Sequence, residues 1–302
     1  MKRDLVSFAL WSPEQIREVV TLAGRLKATR TMAERPLEGR GIALVFEQES
    51  LRTRVSFEVG IAQLGGHAVF LQQETIGIAT RESVHDIAQV LSEYAAAIIA
   101  RTSRHATCVQ LADSATVPVI NALTDLLHPC QVLADAFTLE ESGRFRPETT
   151  IVFLGAGTNV VNSWLELARH FPLTLVLSCP DGYEPHPKVL EEAQSAGISQ
   201  IRFEPDPERA VEGADVVYTD VWPAAPQGVD VGKRIIIFRP YQVNAALLKR
   251  ASPDVLLMHR LPANRGEEVT SEVLDGPHSI VLRQAANRLH VQKAVLSLLV
   301  SA

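Results

Sequence analysis

The chain has 302 residues, enough for about two domains at roughly 150 residues each. Hydrophobic residues make up 46% and charged residues 21%, the balance of a globular protein with a sizeable core. The formal net charge of −6 argues against a general nucleic-acid binder, and the 29 basic residues divide into 6 Lys and 23 Arg, so some arginines are candidates for two-pronged grips on planar anions.

The N-terminus is basic but has no sustained apolar stretch. It leads into Ser12-Pro13-Glu14-Gln15, which reads as a helix cap with Pro at the first helical position, not as a secretory signal. Apolar runs such as 95–100 fall far short of the roughly 20 residues that span a bilayer, so no membrane partner is expected. Cys108, Cys130 and Cys179 form no CxxC pair. Neither a disulfide framework nor a metal site is indicated, and a cytoplasmic location fits.

Short β-branched runs alternate with longer amphipathic stretches. Strand-like runs fall at 42–46, 68–71, 97–100 and 117–120. A helical stretch follows at about 130–141, then further strand-like runs at 150–154, 173–177, 201–203, 216–219, 235–238, 255–258 and 279–281. Helical stretches such as 83–94, 162–170 and 188–196 lie between them. The alternation predicts an α/β protein, two α/β domains each with a parallel sheet flanked by helices. The polar segment 141–148 reads as a linker. The expected division is 1–140, 149–284 and a C-terminal helix over 285–302, which packs back on the N-terminal domain.

Ligands in open parallel sheets bind beyond the carboxyl ends of strands, so the turns after the strands carry the information. After the first strand comes Glu47-Gln48-Glu49-Ser50-Leu51-Arg52-Thr53-Arg54. Its hydroxyls, guanidinium forks and helix start make either a phosphate site or a capped helix with surface arginines. Arg101 ends another strand, as a ligand or a surface residue. In His128-Pro129-Cys130-Gln131, His128 and Gln131 either donate to a carbonyl oxygen, as in an oxyanion hole, or complete a helix start.

In the second half, Gly155-Ala156-Gly157-Thr158-Asn159-Val160 is a dinucleotide-type fingerprint with Val160 at its third glycine. With Asp181 it is the sole support for a nucleotide-dependent dehydrogenase; Asn159 is equally placed to hold a small polar substrate. Asp220 in Asp220-Val221-Trp222 and the stretch His259-Arg260-Leu261-Pro262 each close a strand. Asp220 holds an amine or caps a turn. Arg288, near the C-terminus, reaches the first domain or caps and solvates its helix.

Taken in order, Ser-x-Arg-Thr-Arg, His-Pro-x-Gln, Asp-Val-Trp, His-x-Leu-Pro and Asn-Arg-Leu-His resemble the aspartate/ornithine carbamoyltransferase family, in its ornithine-type branch, over almost the whole chain. Phe238-Arg239-Pro240-Tyr241-Gln242-Val243-Asn244 adds a stretch typical of that branch. The resemblance implies transfer of the carbamoyl group of carbamoyl phosphate to the amine of ornithine or a related compound, with no cofactor and no metal. It assigns Ser50, Leu51 (by its backbone N–H), Arg52 and Thr53 to the phosphate. Arg101, His128 and Gln131 go to the carbamoyl group, and Arg288 to the same ligand. His259 and Arg260 join the catalytic set. Asn159, Asp220, Ala224, Ala225, Arg260 and Leu261 fall in the amine site. It also implies a homo-oligomer, a trimer or a multiple of trimers, with Arg81 in a loop over 73–82 that nears the neighbouring site in some members.

Two departures stand out. Where ornithine enzymes carry Ser-Met-Gly, this chain reads Pro223-Ala224-Ala225-Pro226. Where they carry Cys, it has Arg260, which repels a cationic amine or pairs with a substrate carboxylate. Both motivate two alternatives: an acceptor such as an N-acylated ornithine, or a non-catalytic carbamoyl phosphate-binding paralogue.

Overall fold

The computed structural model describes residues 2–29, 35–78, 80–223 and 231–300. The chain forms two compact units, Met1–Phe137 with Ala286–Ala302, and Thr138–Ala285.

The first unit contains α1 (Pro13–Ala28), β1 (Gly41–Phe46), α2 (Leu51–Gln63), β2 (His67–Gln72), α3 (Gln73–Ile76), α4 (Val84–Tyr94), β3 (Ala97–Arg101), α5 (His105–Ser114), β4 (Val119–Leu123) and most of α6 (Pro129–Glu141). Its four strands are parallel in the order β2-β1-β3-β4. A full capping box closes the start of α1, with Ser12 and Gln15 each bonding the other's backbone N–H. Apolar residues of β1, β3, α4 and α5, among them Val45, Ile98, Ile87 and Leu111, build one core.

The second unit continues with β5 (Thr150–Leu154), α7 (Asn159–Leu167), β6 (Thr174–Ser178), α8 (Pro187–Ala196), β7 (Gln200–Phe203), α9 (Pro207–Ala210) and β8 (Val216–Thr219). It ends with α10 (Val231–Phe238), α11 (Ala245–Leu248), β9 (Leu256–His259), α12 (Ser271–Leu274) and the start of α13 (Val281–Val300). Its five strands are also parallel, in the order β7-β6-β5-β8-β9. The fold is therefore the expected pair of helix-flanked parallel sheets.

The last part of α13 belongs to the first unit, as expected. Gly60 on α2 packs closely against this helix. A Cβ there would stand 3.3 Å from the Lys293 side chain and 3.4 Å from that of Leu289. Val291, Val295 and Leu299 are buried along the same helix.

Three strand expectations are corrected. Residues 235–238 are the end of α10, with Ile236 exposed and Phe238 buried. A four-residue apolar run does not tell strand from helix by its periodicity. Residues 279–281 supply one bridge, Leu257 to Ser279, before α13 begins. The strand expected at 117–120 starts two residues later, as β4.

Candidate active site

Each sheet has one topological switch point, where the chain leaves one strand's neighbours to build on its other side. In the first unit it lies between β1 and β3, and in the second between β5 and β8. A crevice opens beyond the carboxyl ends of such a strand pair, and ligands bind there. The switch points carry Ser50 to Arg54 after β1, Arg101 at the end of β3, Gly155 to Asn159 after β5 and Asp220 after β8.

Ser50 caps α2 and accepts the Thr53 N–H at 3.3 Å. The Thr53 hydroxyl accepts from Ser50 Oγ at 3.0 Å and from Arg288 Nη2 at 2.8 Å. A hydroxyl has two acceptor lone pairs and one proton. With both lone pairs engaged, the Thr53 proton is left to donate to an anion. Arg288 is buried at 4% exposure, so its charge is sheltered from solvent at the α2 N-terminus. That terminus adds its own N–H groups and positive dipole end. Arg52 is half-buried in the first turn of α2.

Arg101 closes β3 opposite Phe46 of β1. The β3–β4 register shifts between Ala100 and Arg101. Such an irregularity re-aims the side chain at a strand's end. Glu47 ties the two loops of this switch point together: its N–H donates to Arg101 O at 2.9 Å, and its carboxylate accepts the Ser103 N–H at 2.6 Å.

His128 and Gln131 are buried at the β4–α6 connection. Thr124 shapes the turn before them, accepting the Leu127 N–H at 3.0 Å. The Gln131 amide donates to Asp135 Oδ1 at 2.8 Å, one helical turn on. That bond fixes the amide's orientation and leaves its second N–H as a donor. The sequence reading missed Asp135; its spacing of four from Gln131 on a helix is the pattern that could have found it.

In the second unit, Asn159 begins α7 after β5 and Asp220 follows β8. Asp220 is 7% exposed. Its carboxylate accepts from Thr158 Oγ1 at 3.2 Å and from the Val221 N–H at 2.8 Å. Arg260 Nε also donates to both oxygens, at 2.7 and 2.6 Å. Trp222 stacks on Phe238, with ring centroids 5.5 Å apart, and Arg234 donates to the Trp222 and Pro223 carbonyls. Arg234 also pairs with Glu267 at 2.7 Å. Ala224 and Ala225, expected at the amine site, lie outside the described residues.

His259 is fully buried, and both its ring nitrogens are engaged. Nδ1 accepts the Leu261 N–H at 2.8 Å, so Nε2 carries the proton and donates to Glu268 at 3.1 Å. Glu268 also accepts the Asn264 N–H at 2.7 Å. Leu261 has φ of 56°, a left-handed conformation that costs a residue with a side chain about 1 kcal/mol or more. The His259 bond holds it there. His259 is thus placed to shape the strand-end turn that carries Arg260 and Leu261. Nearby, Arg265 makes a two-pronged pair with Asp275.

The second fingerprint glycine serves packing inside the unit. A Cβ on Gly157 would stand 2.2 Å from Pro185 N, and the Gly157 N–H donates to Tyr183 O at 2.7 Å. The chain's own 183–185 segment occupies the close approach that a dinucleotide pyrophosphate would need, which speaks against the dehydrogenase reading. Among the described residues there is no cluster of His, Cys, Asp and Glu able to hold a metal.

Two family models match the chain. Residues 3–141 match the carbamoyl-P binding domain of aspartate/ornithine carbamoyltransferase, and residues 147–299 match its Asp/Orn binding domain. The chain belongs to the aspartate/ornithine carbamoyltransferase family. Its family relatives include an ornithine carbamoyltransferase of Chlorobaculum tepidum, 46% identical over 98% of this chain and 89% of the relative. An anabolic ornithine carbamoyltransferase of Pyrococcus furiosus is 45% identical over 98% and 96%. Among solved structures, ornithine carbamoyltransferase from Pyrococcus furiosus superposes with a TM-score of 0.94 at 42% identity, covering 100% of this chain and 98% of that one. The enzyme from Thermus thermophilus gives 0.90 at 42% identity and 99% coverage of both chains.

Proposed function

We propose that this protein transfers the carbamoyl group of carbamoyl phosphate to the side-chain amine of ornithine, giving citrulline and phosphate in arginine biosynthesis. The observation that carries the reading is the content of the two switch points: anion donors at one, and a buried carboxylate beside an asparagine at the other. The names of the relatives support it.

In this reading the first unit is the carbamoyl phosphate-binding half. Ser50, the Leu51 N–H, Arg52, Thr53 and Arg288 hold the phosphate, while Arg101, His128 and Gln131 donate to the carbamoyl oxygen. The neutral amine forms a bond to the carbonyl carbon. The carbonyl oxygen takes up negative charge, where preorganised donors stabilise it most. The C–O bond to phosphate then breaks, phosphate leaves with that electron pair, and the amine loses a proton. Positioning and electrostatics supply the catalysis. The second unit is the amine-binding half, with Asn159, Asp220 and the 259–262 turn.

The same proposal extends to a homotrimer in the cytoplasm. An exposed apolar stripe on α2 (Leu51, Val55, Val59), together with Val69 on the sheet-edge strand β2, offers a surface for self-association. Sedimentation at three times the chain mass is the expected outcome.

The test is an acceptor panel: purified protein, carbamoyl phosphate, and ornithine, Nα-acetylornithine, Nα-succinylornithine, putrescine, lysine or aspartate. Citrulline from ornithine supports the reading. No carbamoylated product from any amine overturns it in favour of the carbamoyl phosphate-binding paralogue. The Arg260–Asp220 pair is the observation behind that second reading.

A further inference from the structure

Asp220 is surrounded by the chain's own donors. A carboxylate offers about four lone-pair sites. Here the Val221 N–H, the Thr158 hydroxyl and the single Arg260 Nε–H, shared between both oxygens, occupy it from three directions. The Val221 N–H belongs to the adjacent residue and cannot leave. The Thr158 hydroxyl is neutral and sits at the start of α7. Arg260 is the exchangeable partner: it is charged, its side chain is long, and it keeps 23% of its surface exposed while Asp220 keeps 7%.

We propose that Arg260 is a specificity residue that competes, from within the protein, with the acceptor's amino group for Asp220. The inference rests on the carbamoyl-transfer reading and deepens it. With Arg260 in place the site presents a neutralised ion pair, not a bare negative charge. An acceptor that brings an ammonium group to Asp220 exchanges one ion pair for another and gains little. An acceptor whose corresponding nitrogen is acylated, and so uncharged, leaves the pair intact. Arg260 therefore raises the KM for ornithine and narrows the preference for cationic over neutral acceptors. The turn held by His259 and Glu268 sets where Arg260 leaves the backbone.

The experiment is steady-state kinetics on the full-length wild type, Arg260→Met and Arg260→Lys, with ornithine and Nα-acetylornithine as acceptors. An ion pair at the surface contributes up to about 1 kcal/mol and this one is mostly buried, so Arg260→Met is expected to lower the ornithine KM by about fivefold or more. The change falls on KM more than on kcat, and the kcat/KM ratio of ornithine to Nα-acetylornithine rises. Arg260→Lys keeps the positive charge and keeps the wild-type ratio. Thermal unfolding reports whether each variant is folded, and Arg260→Gln replaces Arg260→Met should the latter not fold. An ornithine KM that is unchanged or raised in a folded, uncharged variant overturns the inference while wild-type citrulline formation leaves the proposed function standing. A silent wild type with an active Arg260→Met supports the competition at Asp220 and overturns the proposed function of the wild-type protein. Absence of citrulline from every form removes both readings.

Discussion

Arg288 and Thr53 lie 235 residues apart in the chain, yet the Arg288 guanidinium donates to the Thr53 hydroxyl at 2.8 Å. The C-terminal helix thereby delivers a buried positive charge to the capped start of α2. The bond also sets the direction of the Thr53 proton, because Ser50 takes the remaining lone pair. Thr53→Val keeps the shape and removes the donor. A hydrogen bond to a charged group contributes about 1.5–3 kcal/mol, so carbamoyl phosphate affinity is expected to fall by about tenfold or more. Thr53→Ser retains most of it. Titration calorimetry reads both values, and equal affinity in Thr53→Val would remove Thr53 from the site.

The proposed division of the ligands between the two units is open to test by single substitutions. Arg52→Ala is expected to abolish carbamoyl phosphate binding. Asp220→Ala is expected to spare that binding and to impair use of the amine, since Asp220 lies at the switch point of the other sheet. Binding measured on both variants separates the roles. Normal carbamoyl phosphate binding by Arg52→Ala would show the phosphate assignment to be wrong.

Gln131 owes its orientation to Asp135. Asp135→Ala frees the amide to rotate, and a donor that is no longer preorganised stabilises an oxyanion less. The expected effect is a loss of about tenfold in kcat, smaller than the roughly 10²-fold loss for removing an oxyanion donor outright. Gln131→Ala supplies that comparison. A kcat in Asp135→Ala equal to wild type would mean that Gln131 is held by other contacts.

The placement of Ser50 to Arg54 was legible because hydroxyls and arginines follow a strand and open a helix, a local pattern. Arg101 was legible as a strand end, although the register shift beside it was not. Arg260 shows where local reading stops. The sequence offered repulsion of the amine or pairing with a substrate carboxylate. The structure gives a different partner, Asp220, which is 40 residues away and comes near only through the pairing of β8 with β9. Glu268 stayed hidden for a similar reason, since a turn through a left-handed leucine brings it back onto His259. The run 235–238 misled because four apolar residues fit a strand and the end of a helix alike.

The buried His259–Glu268 pair is a stability element. Glu268→Ala leaves the fully buried His259 Nε2–H without its acceptor and also takes the acceptor from the N–H of the exposed Asn264. An unsatisfied buried donor costs about 1–3 kcal/mol, so a loss of about 2 kcal/mol is expected in denaturant unfolding. A change below about 0.5 kcal/mol, the usual size for a surface site, would contradict the geometry.

Burial pushes the Cys108 and Cys130 thiols up to about 12 and the Cys179 thiol to about 11. A raised value keeps each thiol protonated at neutral and mildly alkaline pH, and the thiolate is the reactive form. Native protein treated with N-ethylmaleimide near neutral pH is expected to stay unlabelled by mass, with all three sites reacting once unfolded. Rapid labelling of native Cys108 or Cys130 would show that the first unit's core opens readily.

Carbamoyl transfer that depends on Arg52 is checked by measuring phosphate and citrulline together, from carbamoyl phosphate and ornithine, with wild type and Arg52→Ala. Equal amounts of the two products are expected from the wild type, and neither above background from Arg52→Ala. Phosphate released without citrulline, or equal turnover by Arg52→Ala, would contradict it.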